Sequence, residues 1–433
     1  MMRRRISPCA REHILVRGRR LARLQWWWHP SRILWPSLAP RDSADVEGGV
    51  VWKRKDVSGS CLAMVETLEI PSPADFHVHL RQGPMSELVT PHVALGGIDL
   101  AYVMPNLTPP LTSAQQTVEY MAQLRAIAPH TRFLGTMYLS PSITPDEIRR
   151  ASAAGIRGVK SYPRGVTTNS DGGIEDYEVY FPVFEAMQEC GMVLNLHGEI
   201  PSDTDKGVCV LNAEPLFLAH LEKIHAHFPQ LRIVLEHATT RAAVECVKRC
   251  GDTVACTITA HHLQLTVDDW AGKPLHFCKP VAKMPDDRAA LREVIREGHP
   301  RFFLGSDSAP HPLAAKYPSP ASRNDSTDEL MLNCGCAAGV YTSPILLPLC
   351  ATLLESFGAL DQLAAFVSEH GRRFYNEPAE PGRVVRLRRA TPQDAPVPAA
   401  YVHSSSTDKR DGDPSKLQVS PFFAGRHLGW VLA

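Results

Sequence analysis

The feature that most constrains the fold of this sequence is the alternation of strand-like and helix-like runs, which repeats eight times between Ala74 and His311. The strand-like runs are short and rich in β-branched or apolar residues: 74–80, 98–106, 132–140, 155–163, 191–199, 232–240, 254–263 and 301–311. Such alternation predicts parallel strands joined by helical crossovers. Eight units over about 240 residues predict the closed solution, a (β/α)8 TIM-like barrel.

Helix boundary signals separate several of these runs. Thr144, Pro145 and Glu147 have the pattern of a capping box with proline at the first helical position, and Gly155 follows the expected end. Amphipathic runs over 177–190, 240–250 and 286–297 are each followed directly by a glycine. These signals predict helices between the strands of the barrel.

A histidine pair lies inside the first strand-like run, in DFHVHLRQG (75–83). Because successive side chains of a strand point to opposite faces, His77 and His79 should share one face with Arg81. The apolar residues that alternate with these three should occupy the other face: Phe76, Val78 and Leu80. A pair of this kind also occurs as hydrogen-bonded histidines in a turn, so the pair alone leaves both interpretations open.

Polar residues recur where the predicted strands end: His77, His79, Arg81, Asn106, Lys160, His197, His237, Asp307 and His311. A barrel builds its active site at that face, and a buried histidine without a partner is costly. The pattern therefore predicts a metal site at the carboxyl ends of the strands. Four histidines and an aspartate suit zinc, and this many ligands with open positions indicate two ions.

Lys160 follows the fourth strand-like run, where a pair of ions would need an anionic bridge. Burial and like charges would lower the pKa of its ammonium. A neutral amine can take up carbon dioxide and form a carbamate with two bridging oxygens. Taken alone, Lys160 would fit a solvated surface lysine better than a bridging group, so this hypothesis depends on the surrounding pattern.

Seven ordered motifs resemble dihydroorotase of the amidohydrolase superfamily: DFHVHLRQG, YVMPNLTPP, GVKSYPRGVTTNS, LNLHGE, LEHATT, FCKPVAKMPDDR and GSDSAPH. The resemblance is to the short-chain type found in bacteria and fungi, and it runs from about Met64 to the end of the chain. It implies the barrel with a binuclear metal centre at the carboxyl ends of its strands.

The resemblance also implies a role for each matching position. It implies two zinc ions per subunit with these ligands: His77, His79 and Asp307 for one ion, His197 and His237 for the other, and Lys160 as a bridging N6-carboxylysine. Asp307 is in addition the expected catalytic acid–base. The implied substrate-binding residues are Arg81, Asn106 and His311 at a carboxylate, Ala337 through its backbone, and Thr167 and Thr168 at the tip of a mobile loop.

The implied activity is the reversible cyclisation of N-carbamoyl-L-aspartate to L-dihydroorotate and water, the third step of de novo pyrimidine biosynthesis, in a homodimer. Another cyclic-amide hydrolase, such as a hydantoinase or an allantoinase, would share the metal site but lack the carboxylate-binding residues Arg81, Asn106 and His311. A non-catalytic scaffold related to dihydropyrimidinase would have lost metal ligands. Both remain alternatives at this point.

The first 63 residues differ from the rest. Residues 1–41 hold ten arginines and one acidic residue, Glu12. This composition is compatible with a mitochondrial presequence, but tryptophan and proline are frequent and the amphipathic period is weak. We expect an unstructured extension over 1–63, the barrel over 64–375, and a C-terminal segment over 376–433 that packs back on the barrel.

Charge and hydropathy limit the classes of partner that the protein could bind. The formal net charge is +0, which provides no basic field for nucleic acid. No apolar run approaches the roughly 20 residues of a membrane span. Eleven cysteines without regular spacing indicate reduced thiols. The sequence therefore predicts a cytoplasmic enzyme for a small-molecule substrate, without nucleic-acid or membrane partners.

Overall fold

Eight parallel strands lie side by side in chain order and form the barrel. The computed structural model describes residues 66–166, 170, 172–174, 176–317, 336–403 and 417–433. Its strands are β1 (Thr67–Pro71), β2 (Ala74–Val78), β3 (Leu100–Val103), β4 (Arg132–Tyr138), β5 (Gly158–Ser161), β6 (Val193–His197), β7 (Arg232–Glu236), β8 (Val254–Ile258), β9 (Phe302–Leu304), β10 (Val384–Arg389), β11 (Tyr401–Val402), β12 (Gln418–Val419) and β13 (Trp430–Leu432). Each strand from β2 to β9 is hydrogen-bonded to the next. The predicted barrel is confirmed.

The barrel closes between β2 and the residues that follow β9. The Asp307 N–H donates to the His77 carbonyl at 2.9 Å, and the His79 N–H donates to the Ser308 carbonyl at 3.1 Å. Val78 and Ser308 form a parallel bridge at the same place. Two of the predicted histidine ligands and the predicted aspartate therefore lie on the seam that joins the first barrel strand to the last.

Helices connect the strands and pack around them: α1 (Gly83–Val89), α2 (His92–Leu95), α3 (Ala114–Ile127), α4 (Pro145–Ala153), α5 (Phe181–Cys190), α6 (Ala213–His227), α7 (Arg241–Arg249), α8 (Val267–Trp270), α9 (Pro285–Arg296), α10 (Leu313–Lys316), α11 (Leu346–Ser356) and α12 (His370–Tyr375). Across the described part of the chain, none of the helices has both the length and the apolar character needed to cross a bilayer.

The helix boundary signals act largely as predicted. Gly191 and Gly298 adopt left-handed conformations just after α5 and α9, with φ of 64° and 65°. The Thr144 hydroxyl accepts from the Glu147 N–H at 3.2 Å. The Glu147 carboxylate, however, accepts from the Ala114 N–H at 2.6 Å. It thereby caps the first turn of α3, whose N–H groups lack an acceptor within their own helix, instead of closing the predicted box on Thr144.

A bulge interrupts the alternation of side chains in β2. Ala74 and Asp75 pair with consecutive residues of β3, and the register then shifts before Val78. Phe76 packs in the barrel interior with residues such as Phe303, whereas Val78 belongs to the layer between strands and helices. The prediction that Phe76 shares a face with Val78 is therefore wrong, because an extra residue in one strand changes the side-chain direction.

Aromatic side chains fill the barrel interior away from the predicted site. Phe76 stacks on Tyr375 of α12 with ring centroids 4.7 Å apart. The Tyr375 hydroxyl donates to Asn195 Oδ1 at 2.5 Å, and Asn195 Nδ2 donates to the Tyr102 hydroxyl at 2.7 Å. Because this layer is packed and its polar atoms are hydrogen-bonded, the chemistry must lie at the carboxyl ends of the strands.

The two ends of the described chain meet in a small antiparallel sheet. β10 pairs with β1 on one side and with β13 on the other. Trp430 of β13 is fully buried and shares the main core with Phe422, and the guanidinium of Arg389 lies 4.6 Å from the centre of its ring. Part of the C-terminal segment is thus built into the same core as the barrel.

A chain that begins at Met64 should retain its fold and its specific activity. The barrel begins at Ala74, and β1, the strand that β10 needs as a partner, begins at Thr67. The thermal midpoint and the specific activity should match those of the full chain. A chain that begins at Ala74 is the control, and it should unfold at a lower temperature because β10 loses β1. An insoluble or inactive protein from Met64 onward would contradict the prediction.

Candidate active site

Three ligand atoms from the seam of the barrel converge on one point. The His77 and His79 Nε2 atoms lie 3.3 Å apart, and Asp307 Oδ1 lies 3.3 Å from the first and 3.1 Å from the second. Zinc bonds of roughly 2.0–2.2 Å in tetrahedral geometry place neighbouring ligand atoms about 3.3–3.6 Å apart. All three side chains are buried. This group can hold a zinc ion.

A second pair of imidazoles lies next to the first group. His197, the last residue of β6, places Nδ1 at 3.2 Å from Nε2 of His237, the residue after β7. The ring centroids of His77 and His237 are 5.0 Å apart. The structure therefore brings the four predicted histidines into two adjacent pairs, as a binuclear centre requires.

The backbone is strained at three residues of this site. Arg81, His237 and Asp307 have positive φ values of 56°, 44° and 45°. Non-glycine residues rarely adopt this region, and such residues cluster at functional sites where the surrounding structure holds them. All three side chains line the same cavity beyond the strand ends.

Lys160 of β5 is fully buried beneath the two histidine pairs. Its ammonium forms an ion pair with Glu236 and lies 4.7 Å from the centre of the Tyr162 ring. Burial lowers the pKa of Lys160, although the Glu236 carboxylate opposes that shift. The surface-lysine alternative is therefore wrong.

Two carboxylates lie against the imidazole nitrogens that point away from the other predicted ligand atoms. Glu236 Oε1 lies 3.2 Å from His77 Nδ1, and Glu199 Oε2 lies 3.0 Å from His197 Nε2. A carboxylate that accepts from one ring nitrogen leaves the other nitrogen free to bind a metal. From the sequence, neither glutamate was assigned a role. The sequence feature that could have indicated one is a glutamate at the end of an apolar run, because a buried carboxylate needs a partner.

The imidazoles are largely in the neutral form that binds metal. Burial lowers the pKa of His79 to about 4, and it lowers the pKa of His197 and that of His237. His77 differs because the neighbouring carboxylates outweigh the effect of burial and raise its pKa to about 9. A metal ion at this position therefore competes with a proton.

A cationic corner lies beside the histidine pairs. Arg81 Nε donates to the Pro310 carbonyl at 3.0 Å, and its Nη2 lies 3.2 Å from His311 Nε2. That same His311 nitrogen lies 2.9 Å from the Ala338 carbonyl. Since a guanidinium only donates and a carbonyl only accepts, His311 Nε2 can satisfy one of them at a time. An anion entering here would find an available donor.

The histidine pairs open into one cavity, whose wall includes His79, Arg81 and Asn106. Ala338 and Gly339 form the wall next to the cationic corner. Ala337 lies just behind it, since its N–H donates to the Ala315 carbonyl at 2.9 Å. Its carbonyl accepts from Lys316 at 2.8 Å. Thr167 and Thr168 lie outside the described residues.

A barrel that gathers paired imidazoles, a buried lysine and an aspartate at the carboxyl ends of its strands is characteristic of the amidohydrolases. In agreement, the family model described as Amidohydrolase matches residues 110–254.

Comparison with individual proteins identifies the family within that class. The chain is 65% identical over 389 residues to the dihydroorotase of Mycosarcoma maydis, a match that covers 85% of this chain and 99% of the other. It is 43% identical to the dihydroorotase of Saccharomyces cerevisiae, covering 85% and 98%. The solved Saccharomyces cerevisiae dihydroorotase in complex with 5-fluoroorotic acid superposes with a TM-score of 0.75 at 41% identity, covering 85% of this chain and 99% of that one. The chain belongs to the dihydroorotase family, whose members act on a cyclic amide.

Proposed function

We propose that the protein catalyses the zinc-dependent, reversible cyclisation of N-carbamoyl-L-aspartate to L-dihydroorotate and water, the third step of de novo pyrimidine biosynthesis. The observation that carries this proposal is the position of Arg81 in the same cavity wall as the histidine pairs, with His311 against its guanidinium. A metal site for the amide and a cationic corner for the carboxylate match the two functional groups of dihydroorotate.

Two zinc ions fit the donor set. His77, His79 and Asp307 would hold one ion, and His197 and His237 would hold the other. The separations within each group, 3.1–3.3 Å, support metal binding because they are close to those between zinc ligands. Each pair includes a ring whose other nitrogen faces a carboxylate, which is the usual support for a metal-bound histidine.

Lys160 would complete the centre as a carboxylated bridge. Its burial and lowered pKa favour the neutral amine that reacts with carbon dioxide. Carboxylation would replace the ammonium by an anion and end the ion pair with Glu236. Glu236 would then remain bound to His77 alone.

When bound, the zinc pair makes water nucleophilic near neutral pH and polarises the amide carbonyl. In the hydrolytic direction, Asp307 would accept the proton of the attacking water and deliver it to the amide nitrogen as the C–N bond breaks. In the cyclisation direction the same carboxylate would remove the proton from that nitrogen. Asp307 lies at the seam, against both His77 and His79, where it can serve as a ligand and as an acid–base.

The cationic corner would bind the substrate carboxylate. Arg81 is anchored through Nε to Pro310, which leaves its terminal nitrogens for a two-point contact that lysine could not make. Asn106 and His311 would add hydrogen bonds, and the backbone of Ala337 would contribute through the loop it belongs to. Thr167 and Thr168 would close over the bound substrate. We further propose a homodimer that acts in the cytoplasm.

A side-by-side assay on L-dihydroorotate and dihydrouracil tests this function, because the two rings differ only by the carboxylate. Without a carboxylate, Arg81 would be enclosed without an anionic partner, which costs several kcal/mol. We expect kcat/KM for dihydroorotate to exceed that for dihydrouracil by ~10²–10⁴-fold. Hydantoin and allantoin should be equally poor substrates. Comparable values would favour a hydantoinase, and no activity on either ring would favour a non-catalytic scaffold.

Replacement of Arg81 by methionine should raise KM for dihydroorotate by roughly 10²-fold or more, because the carboxylate loses its charged partner. The zinc content should stay unchanged, since Arg81 is not among the metal-binding side chains. Kinetics and metal analysis on the same preparation check both points. Arg125→Met, at an exposed position of α3, is the control. An unchanged KM in Arg81→Met would assign the carboxylate to another residue.

A further inference from the structure

We propose that Glu199 and Lys283 are positioning residues for the second zinc, the one assigned to His197 and His237. This inference rests on the proposed function, and it extends the metal centre to a loop that none of the motif assignments connects with metal binding. The observation behind it is a continuous line of buried polar contacts from Lys283 through Glu199 to His197.

The contacts are direct and enclosed. Glu199 Oε2 lies 3.0 Å from His197 Nε2, and Lys283 Nζ donates to Glu199 Oε1 at 3.4 Å. All three side chains are buried, with Lys283 and Glu199 each 3% exposed. Burying a charged pair is unfavourable unless its partners are well placed, so an arrangement of this kind is more than a surface ion pair.

The chemistry of these groups fixes the direction of the His197 ring. An ionised carboxylate only accepts hydrogen bonds, so His197 Nε2 must carry the proton. Nδ1 is then the nitrogen with a free lone pair, and it is the atom that faces His237 Nε2 at 3.2 Å. Glu199 therefore selects the tautomer that can bind the second zinc.

Lys283 holds the Glu199 carboxylate in place from the side opposite His197. Its Nζ lies 3.4 Å from Oε1, the oxygen that does not face the imidazole. On the other side of the centre, the corresponding carboxylate, Glu236, is paired with Lys160, whose charge carboxylation would remove. Lys283 would still face Glu199 as a cation once Lys160 is modified.

The position of Lys283 also connects the metal with the substrate cavity. Lys283 lies between β8 and α9, in the same connection as Lys279, which lines the cavity. The ion pair with Glu199 therefore holds this connection against the end of β6. Loss of the pair should weaken binding of the second zinc and, through the displaced wall, raise KM for dihydroorotate.

The test is the zinc stoichiometry and affinity of Lys283→Met. After dialysis against a weak chelator, the unaltered protein should retain two zinc ions per chain and Lys283→Met should retain one. The affinity for the second ion should fall by about 10–100-fold, the usual effect of losing such a supporting contact. Lys283→Arg keeps the charge and should restore most of that affinity. Lys273→Met, an exposed lysine of the same connection, is the matched control and should retain both ions.

A double variant keeps the test valid if Lys283→Met alone does not fold. Lys283→Met with Glu199→Gln leaves no unpaired buried carboxylate, and its second-zinc affinity should equal that of Glu199→Gln alone, because the two residues act as one unit. Full retention of two tightly bound ions in these variants would overturn the inference. Fewer than two ions in the unaltered protein would instead overturn the proposed function, and this inference with it.

Discussion

Asp307→Asn should lose more turnover than the roughly 10²–10⁴-fold typical of a general base, while the protein keeps its zinc. Asparagine retains an oxygen that can face His77 and His79, as Asp307 Oδ1 does at 3.3 and 3.1 Å. It cannot take up the proton that must travel from water to the amide nitrogen. The loss should fall on kcat more than on KM, because the carboxylate corner is unchanged.

Steady-state kinetics with metal analysis on the same sample checks this prediction. Asp205→Asn, at an exposed position on another loop, is the control for handling and should behave like the unaltered protein. If Asp307→Asn turned over substrate at a substantial rate with full zinc occupancy, another group would have to carry the proton. If the Asp307→Asn protein lost its zinc, the result would support only the role of Asp307 as a ligand, and a different variant would be needed to test its acid–base role.

Lys160→Ala should lose both zinc and nearly all activity. The lysine is fully buried beneath the histidine pairs, and alanine removes the amine that would become the bridge. A short carboxylic acid, such as acetate or propionate, should restore part of the zinc content and part of the activity by occupying the vacated space. Lys160→Arg is a useful comparison, because it keeps a cation for Glu236 but cannot form the carbamate.

Two results would contradict the bridging role of Lys160. One is a Lys160→Ala protein that retains two zinc ions and normal turnover. The other is a well-resolved density map with zinc present that shows a plain amine between the ions. Intact-mass analysis cannot decide the question, since carbamates decompose in acid.

The sequence predicted the barrel, and the polar residues that meet at one of its faces, for a physical reason. Parallel strands in a barrel all end at the same face, so a polar residue that follows an apolar run is placed at that face whatever the helices do. His197 and His237 illustrate this, because each lies at or just beyond the end of its strand and the two meet at 3.2 Å. Their pairing required no knowledge of the loops.

The features that escaped prediction depend on side-chain direction and on the paths of loops. The bulge in β2 places Phe76 and Val78 in different layers, and no local residue pattern marked it. The partners of Glu199 and Glu236 come from distant segments, Lys283 from a connection and Lys160 from another strand. The loop that carries Ala337 places Ala338 and Gly339 in the cavity wall, and spacing alone could not define that path.

The seam that closes the barrel sets the order of events during synthesis. His77 and His79 leave the ribosome early, whereas Asp307, which bonds to the His77 backbone at 2.9 Å, follows 230 residues later in the chain. Domains complete their contacts only when their last strand is available. A nascent polypeptide that has not reached Asp307 can therefore offer zinc imidazoles but no complete pocket, and metal loading belongs to the finished chain. Any ribosomal stall before that aspartate emerges would release a protein that is open at its seam and unable to keep its metal.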